Sequence, residues 1–417
     1  MQDFETTKYT FDTQANRIFM AEQTKQLLDF AKNFPAPIGG SGWLNTDGTL
    51  DKTRGVQTWI TARMTHVYSI GEMLGYKEAN QLVERGLDGL LGPLHDNKHG
   101  GWYPQVSWNK EPEKDKICYT HAFVILAASS ALLAGHERAK QLLEDALKVF
   151  DKYFWNNEIG LTVDTWDTSF NKLDSYRGLN ANMHTTEAFL AVADSTGDEK
   201  YRERAKRIIS HVINWASNNN WRIPEHFNDQ WQADLEYNKD KKDDQFKPYG
   251  ATPGHGIEWS RLILQWAYSY YKEDCKQRRE ALNAAENLFN QALKDGWNAD
   301  GQPGIVYTTD WNGKPIVHDR MHWTLAEAIN TSSTLYRITK NKQYATWYKE
   351  FCKYLDHSVI DHSNGSWFHQ LDDKNNVLNT VWPGKSDAYH AFQSTLIPFI
   401  DPTCSIASAI YLSLIHI

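Results

Sequence analysis

Residues 117–154 read ICYTHAFVILAASSALLAGHERAKQLLEDALKVFDKYF, and their periodicity decides the fold. Apolar residues recur at helical spacing on both sides of a short break, GHERA at 135–139. Two helices, 117–134 and 137–154, are therefore joined by a turn too short for anything but an antiparallel hairpin. The same device returns as GYKEA at 75–79, TGDEKY at 196–201 and TKNKQY at 339–344. Gly75, Gly135 and Gly197 recur about sixty residues apart, and the turn at Lys340 lies about two further repeats on.

Working outward, the same periodicity predicts helices at 14–32, 55–74, 77–92, 117–134, 137–154, 180–196, 198–217, 255–272, 277–294, 323–339, 341–357 and 387–400. Six helical hairpins predict an all-α fold, an (α/α)6 barrel, with residues 1–411 as a single catalytic domain. An open solenoid or two bundles would not account for the longer segments between hairpins. Those segments are HGGWYPQVS at 99, GLTVDTWD at 160, GIVYTTDWNGKP at 304 and GSWFHQLDDKNNV at 365. Each alternates aromatic and polar residues around turn residues, which predicts short β-hairpins gathered on one rim. The last six residues, LSLIHI at 412–417, read like a translated adaptor and are expected to be a non-native tail.

Composition narrows the function. The 44 Lys and Arg against 52 Asp and Glu leave a net charge of -8 with no basic run to track phosphates, which argues against nucleic acid or an acidic membrane as partners. The polar start, MQDFETTKYTFDTQANRIF, lacks a signal-like apolar core, and no stretch reaches membrane-span length, so a soluble cytoplasmic protein is expected. Cys118, Cys275, Cys352 and Cys404 are scattered without a CxxC pair, as suits a reducing compartment, with neither a disulfide frame nor a zinc knuckle. The 17 Trp, 20 Tyr and 17 Phe suit carbohydrate faces as well as cores. A small neutral or weakly anionic molecule is the expected partner, bound by a monomer or weak homo-oligomer.

Four stretches place polar side chains where a core helix would carry apolar ones. In WITARMTHVYS, Trp59, Arg63 and His66 share a helical face, and a buried Arg must be paired or ligand-bound. In NANMHTTEAF, Asn180 or Asn182 can cap the helix, which leaves His184 and Glu187 unexplained. In GATPGHGIEWSRL at 250–262, His255 and Glu258 fall three apart at a helix start, within reach of one shared ligand. In KSDAYHAF, Asp387 can cap and His390 sits one turn in. Each histidine alone reads as a satisfied core residue. Together, His184, His255 and His390 sit in the first turn or so of separate helices that an (α/α)6 barrel would aim at one cavity, with Arg63 facing the same way.

Such imidazoles suit proton transfer near neutral pH, since an unperturbed His titrates at about 6.5. A metal is not required, because this set has no compact ligand spacing. The HxxxH pairs His95 with His99 and His318 with His322 lack the HExxH glutamate and read as coincidental; a dispersed three-histidine metal site is the alternative.

With HGGWY, EHF at 225, the helix carrying Trp323 and Glu327, and GSWFHQLD added, the chain from about Phe19 to Pro398 resembles the N-acylglucosamine 2-epimerase superfamily, on its aldose-ketose isomerase branch. The resemblance implies an (α/α)6 barrel and cofactor-free sugar interconversion at the first two carbons. It implies that His255 moves the proton between C2 and C1 through a cis-enediol, and that His390 is a second acid/base that assists ring opening. Arg63 would hold the oxygen on which negative charge develops. Asn180, His184, Glu258 and Glu327 would bind hydroxyls or orient the imidazoles, with Trp59, Trp323 and Trp382 as sugar-face contacts.

Sulfoquinovose-processing members carry an Arg ten residues before the TPGH histidine and a Gln four before the final one, where this chain has Gln245 and Ser386. A neutral hexose, mannose to fructose, is therefore the expected substrate, with lyxose to xylulose as a side activity. Lys247 keeps a sulfonate as the alternative, with 2-epimerisation as another. Two readings of other classes are a glycoside hydrolase using Glu258 with Glu327 and a non-catalytic sugar-binding or inhibitor module.

Overall fold

The computed structural model describes residues 7–415. In chain order its helices are α1 (Gln14–Ala31), α2 (Thr58–Met73), α3 (Ala79–Leu90), α4 (Cys118–Leu133), α5 (Glu137–Val149), α6 (Leu179–Thr196), α7 (Lys200–Ser217), α8 (Pro253–Tyr270), α9 (Lys276–Gly296), α10 (His322–Thr339), α11 (Lys342–Tyr354), α12 (Tyr389–Leu396) and α13 (Ile406–Ile415). The even-numbered helices form an inner ring, each packed on its inner neighbours and on an outer partner; α12 takes α1 as its partner, which closes the circle and makes the (α/α)6 barrel. The two rings differ as their sequences require. Every residue from Thr120 to Ala131 in α4 is buried, whereas α5 buries only Ala139, Leu142, Leu143 and Ala146, one stripe of an amphipathic helix.

The short turns fall where backbone chemistry puts them. Gly75, Gly135 and Gly197 have φ of 84°, 94° and 75°, and each ends an inner helix in the left-handed conformation that glycine adopts without strain. Lys340 occupies the equivalent place at φ 58° with a side chain that disfavours it. Lys340→Gly should raise the unfolding free energy by about 0.5–1 kcal/mol, read as a higher urea midpoint at unchanged slope. The ammonium it removes lies 6.0 Å from the Tyr336 ring and offsets little of that gain.

Three expectations are corrected or extended. The segments at 160 and 304 form local hairpins, Trp155–Asn156 with Leu161–Thr162 and Thr308–Thr309 with Pro315–Val317, while Thr165–Asp167 of the former also pairs with Asp115–Ile117. Those at 99 and 365 also fold back locally, at Val106 with Pro112 and Leu371 with Val377, and in addition pair across repeats: Gln105–Val106 with Val56–Gln57, and Gln370–Leu371 with Arg320–Met321. In both, a strand lying just before an inner helix finds its backbone partners in the next repeat's loop, so the rim is stitched between repeats. The predicted helices 137–154, 341–357 and 387–400 each end in a differently wound turn, π at Phe150–Phe154 and Leu355–Val359 and 3-10 at Ile397–Phe399. Helix α13 was not predicted. It lays Ile406, Ala407 and Ile410 across the ends of α2, α4 and α6, is held by Ser405 N donating to Asp194 Oδ2 (2.6 Å), and runs into the expected tail with Leu412 and Leu414 exposed. Residues 416 and 417 of that tail lie outside the described residues.

Candidate active site

The N-terminal ends of the inner helices face the stitched rim, and the loop before α8 shows how one is set. Gly250, at φ 90°, lies so close to the Thr309 carbonyl that a Cβ would come within 2.2 Å of it. This approach lets Ala251 and Thr309 exchange two backbone hydrogen bonds of 2.9 Å. Pro253 then opens α8 where its missing N–H has no partner to lose. His255 is thereby placed in the first turn, 8% exposed, on the wall of a central cavity.

Around that cavity, three imidazoles each have a carboxylate at Nδ1. His255 has Glu225 Oε1 at 3.0 Å, outside hydrogen-bond alignment; His184 has Glu187 Oε2 at 3.2 Å; His390 has Glu327 Oε1 at 3.1 Å. A carboxylate at Nδ1 favours the tautomer that leaves Nε2 free to accept a proton. Burial holds His390 below the ordinary imidazole range and brings His184 down to about 4, although Glu327 and Glu187 respectively pull the other way. These two rings are neutral bases at neutral pH. Glu187 stays ionised despite burial, because His184 and Tyr389 both hydrogen-bond to it and Arg261 adds its field.

Arg63 is the cation of the cavity wall. Its guanidinium donates to Tyr119 Oη (2.9 Å) and Asp387 Oδ2 (3.3 Å), and it lies 4.5–4.8 Å from the Trp59, Phe123 and Tyr389 rings. Burial works against its charge, and Tyr119, Asp387 and Tyr389 more than compensate. Asp387, one residue before the N-cap Ala388, also accepts from Tyr389 N at Oδ1 (2.9 Å) at the start of its helix.

Of the residues singled out from the sequence, Arg63, Asn180, His184, His255, Glu258, Trp323, Trp382 and His390 line the cavity, as do Gln245 and Ser386. Glu327 does not. It stands behind the wall with one oxygen at His390 and the other at Arg261 Nε (2.9 Å), so its position fits orienting His390 rather than touching a ligand. Trp59 sits beneath Arg63 and edge-on to Trp382 (6.0 Å), lining the adjoining chamber instead. Lys247 also faces that chamber, its ammonium 3.7 Å from the Tyr176 ring. His66 is a satisfied core histidine, bonded to Ser130 Oγ (2.7 Å) and lowered to about 4 by burial. Asn182 is the structural asparagine, tying Gly178 O to Thr162 N, which leaves Asn180 to the cavity.

Sequence reasoning missed several residues. Glu225, rather than Glu258, sits behind His255, because the pairing of His226–Phe227 with Arg177–Gly178 carries it there. Tyr119, Phe246 and Tyr307 complete the aromatic lining. His322, set aside as half of a coincidental HxxxH, lines the cavity and stacks on His369 with ring centroids 3.8 Å apart. Its HxxxH partner His318 points away to Asp300 (2.9 Å) and His95 bonds to Asn97 (2.9 Å), so neither pair shares a ligand. The quoted motif GSWFHQLD was the available signal for His369. Among the described residues, Glu258, Glu327 and His390 have donor atoms within 4.8 Å of one another, a spacing that would admit a cation. Arg261 already brings a positive charge to that cluster, 2.9 Å from Glu327.

An (α/α)6 barrel with histidine–carboxylate pairs around its central cavity defines a class, and residues 39–394 match the N-acylglucosamine 2-epimerase (GlcNAc 2-epimerase) family, to which the chain belongs. Within it the chain is 40% identical to a D-mannose isomerase of Pseudomonas cannabina pv. alisalensis over 396 residues, 95% of each chain. It is 38% identical to a D-mannose isomerase of Thermobifida fusca, covering 95% of this chain and 97% of that one. A crystal structure of a D-mannose isomerase superposes with a TM-score of 0.85 at 27% identity, over 93% of this chain and 98% of that one. The cellobiose 2-epimerase of Spirochaeta thermophila shares the fold at a TM-score of 0.80 and 17% identity, over 96% of this chain and 97% of that one. No helix among the described residues is long and apolar enough to cross a membrane.

Proposed function

We propose that the protein is an aldose-ketose isomerase that interconverts D-mannose and D-fructose without a cofactor. The observation that carries this reading is the pair of imidazoles, His255 with Glu225 and His390 with Glu327, on a cavity wall that also presents the Arg63 guanidinium. In the proposed reaction an imidazole Nε2 takes the proton from C2 of the open-chain sugar and a cis-enediol forms. Negative charge gathers on the oxygen that Arg63 faces. The proton returns to C1, the O2 proton moves to O1, and the ketose results. His255 is assigned the C2–C1 transfer, and His390 the ring opening and second proton transfer.

The D-mannose isomerases among its relatives support mannose as the aldose. Gln245 and Ser386 add uncharged walls, and Lys247 lies outside the cavity, so a sulfonated sugar would find no extra cation there. Glycoside hydrolysis by Glu258 and Glu327 fits less well, since Glu327 is spent on His390 and Arg261. The test is incubation with mannose in deuterated water, followed by proton NMR. Fructose carrying deuterium at C1 is the expected result. Deuterated glucose would mark an epimerase, and saturable binding without fructose or exchange would mark a sugar-binding module.

A further inference from the structure

Glu258 is the cavity carboxyl with nothing to bond. It is 1% exposed and lines the cavity, yet neither oxygen has a hydrogen-bond partner among the described residues. The nearest cation, Arg261, lies three residues on along α8. Its Nε is 2.9 Å from Glu327, whereas its Nη2 stops 3.9 Å from Glu258 Oε1, beyond hydrogen-bond length. Arg63, on α2, is bonded to Asp387 and Tyr119.

The other groups facing Glu258 do not favour a charge. Glu327 on α10 and Glu187 on α6 repel an anion, while Tyr119 on α4 and Tyr389 and His390 on α12 are uncharged neighbours. A carboxylate removed from water and left without a bond carries a large desolvation penalty. Two carboxyl groups this close do not both ionise readily, and Glu327, bonded to Arg261 and His390, is the one that keeps the charge.

We propose that Glu258 meets the sugar as a neutral carboxylic acid, its O–H donating to one sugar oxygen and its carbonyl oxygen accepting from a neighbouring hydroxyl. The sugar contact rests on the isomerase reading above; the protonation does not. Burial first, and Glu327 second, push the Glu258 carboxyl well above the usual range, in line with the geometry. The neutral form also serves the chemistry. An anion here would oppose the charge that develops on the enediol, whereas an acid leaves Arg63 to meet it.

Glu258→Gln, permanently neutral and nearly isosteric, is the deciding variant, with Glu258→Ala beside it. At about pH 7 the infrared difference between wild type and Glu258→Gln should show a protonated-carboxyl carbonyl band in the wild type. A carboxyl whose folded pKa is raised stabilises the fold below its unfolded value and loses that stabilisation as pH rises. Wild type should therefore lose thermal stability relative to Glu258→Gln on going from acid to alkaline pH.

For mannose, kcat/KM should fall about 5- to 10-fold in Glu258→Gln, with the decline at alkaline pH removed, and about 100-fold in Glu258→Ala. A missing infrared band together with parallel pH–stability curves would overturn the proposal. So would a loss in Glu258→Gln as deep as that in Glu258→Ala at every pH. If wild type does not turn over mannose, the isomerase reading fails by itself, and the infrared and stability measurements still decide the protonation.

Discussion

Asparagine in place of His255 should lower kcat/KM for mannose by about a thousandfold or more and abolish deuterium exchange at C1 and C2, the loss expected when a general base is removed. The imidazole is the group lost, because asparagine keeps most of its shape without its basicity. The protein should stay folded: His255 sits on the cavity wall, 8% exposed, with its ring centroid 5.1 Å from that of Trp323, and asparagine keeps a polar side chain of similar reach there. Mannose should still shift the thermal midpoint of the variant, which separates lost chemistry from lost binding. Exchange at C2 that persists in the variant would move the proton transfer away from His255.

Arg63→Lys should cost about a hundredfold in kcat/KM, because the cation survives and its geometry does not. The guanidinium donates to Tyr119 and Asp387 at once, wedged between the Trp59, Phe123 and Tyr389 rings. An ammonium on a shorter reach can satisfy one of these acceptors and matches none of the stacking. The effect should fall on kcat more than on KM, since in the proposed reaction the charge Arg63 answers exists only as the enediol forms. Arg63→Leu should be worse in a second way. It strands Asp387, 4% exposed, without its cation, and should destabilise the fold by about 3–5 kcal/mol in urea unfolding. A lysine variant that changes KM alone would make Arg63 a binding residue only.

Much of this architecture was legible in the chain. Gly75, Gly135, Gly197 and Lys340 mark the ends of inner helices, all in the left-handed region, which the three glycines adopt without strain and Lys340 does not. His184, His255 and His390 could be placed near the starts of separate helices. The partners could not. Glu225 and His255 are brought together by strand pairing between loops, and His390 and Glu327 lie on different inner helices. Spacing three apart on α8 made Glu258 look like the companion of His255, and the structure gives that place to Glu225. His322 and His369 are 47 residues apart and meet only because two loops share a strand pair.

By itself, then, the sequence determined which twelve segments form the barrel helices, where four of the hairpins turn and which residue types could carry proton transfer, because helical period, φ preference and side-chain ionisation are local properties. Only the tertiary structure decided which carboxylate stands behind which imidazole, that Glu327 lies behind the wall while Glu258 faces the cavity, and that Arg261 bonds to one of the two and not the other. Those are distances between segments far apart in the chain, and the differences that matter, 2.9 Å against 3.9 Å at Arg261, are smaller than any spacing a sequence pattern can express.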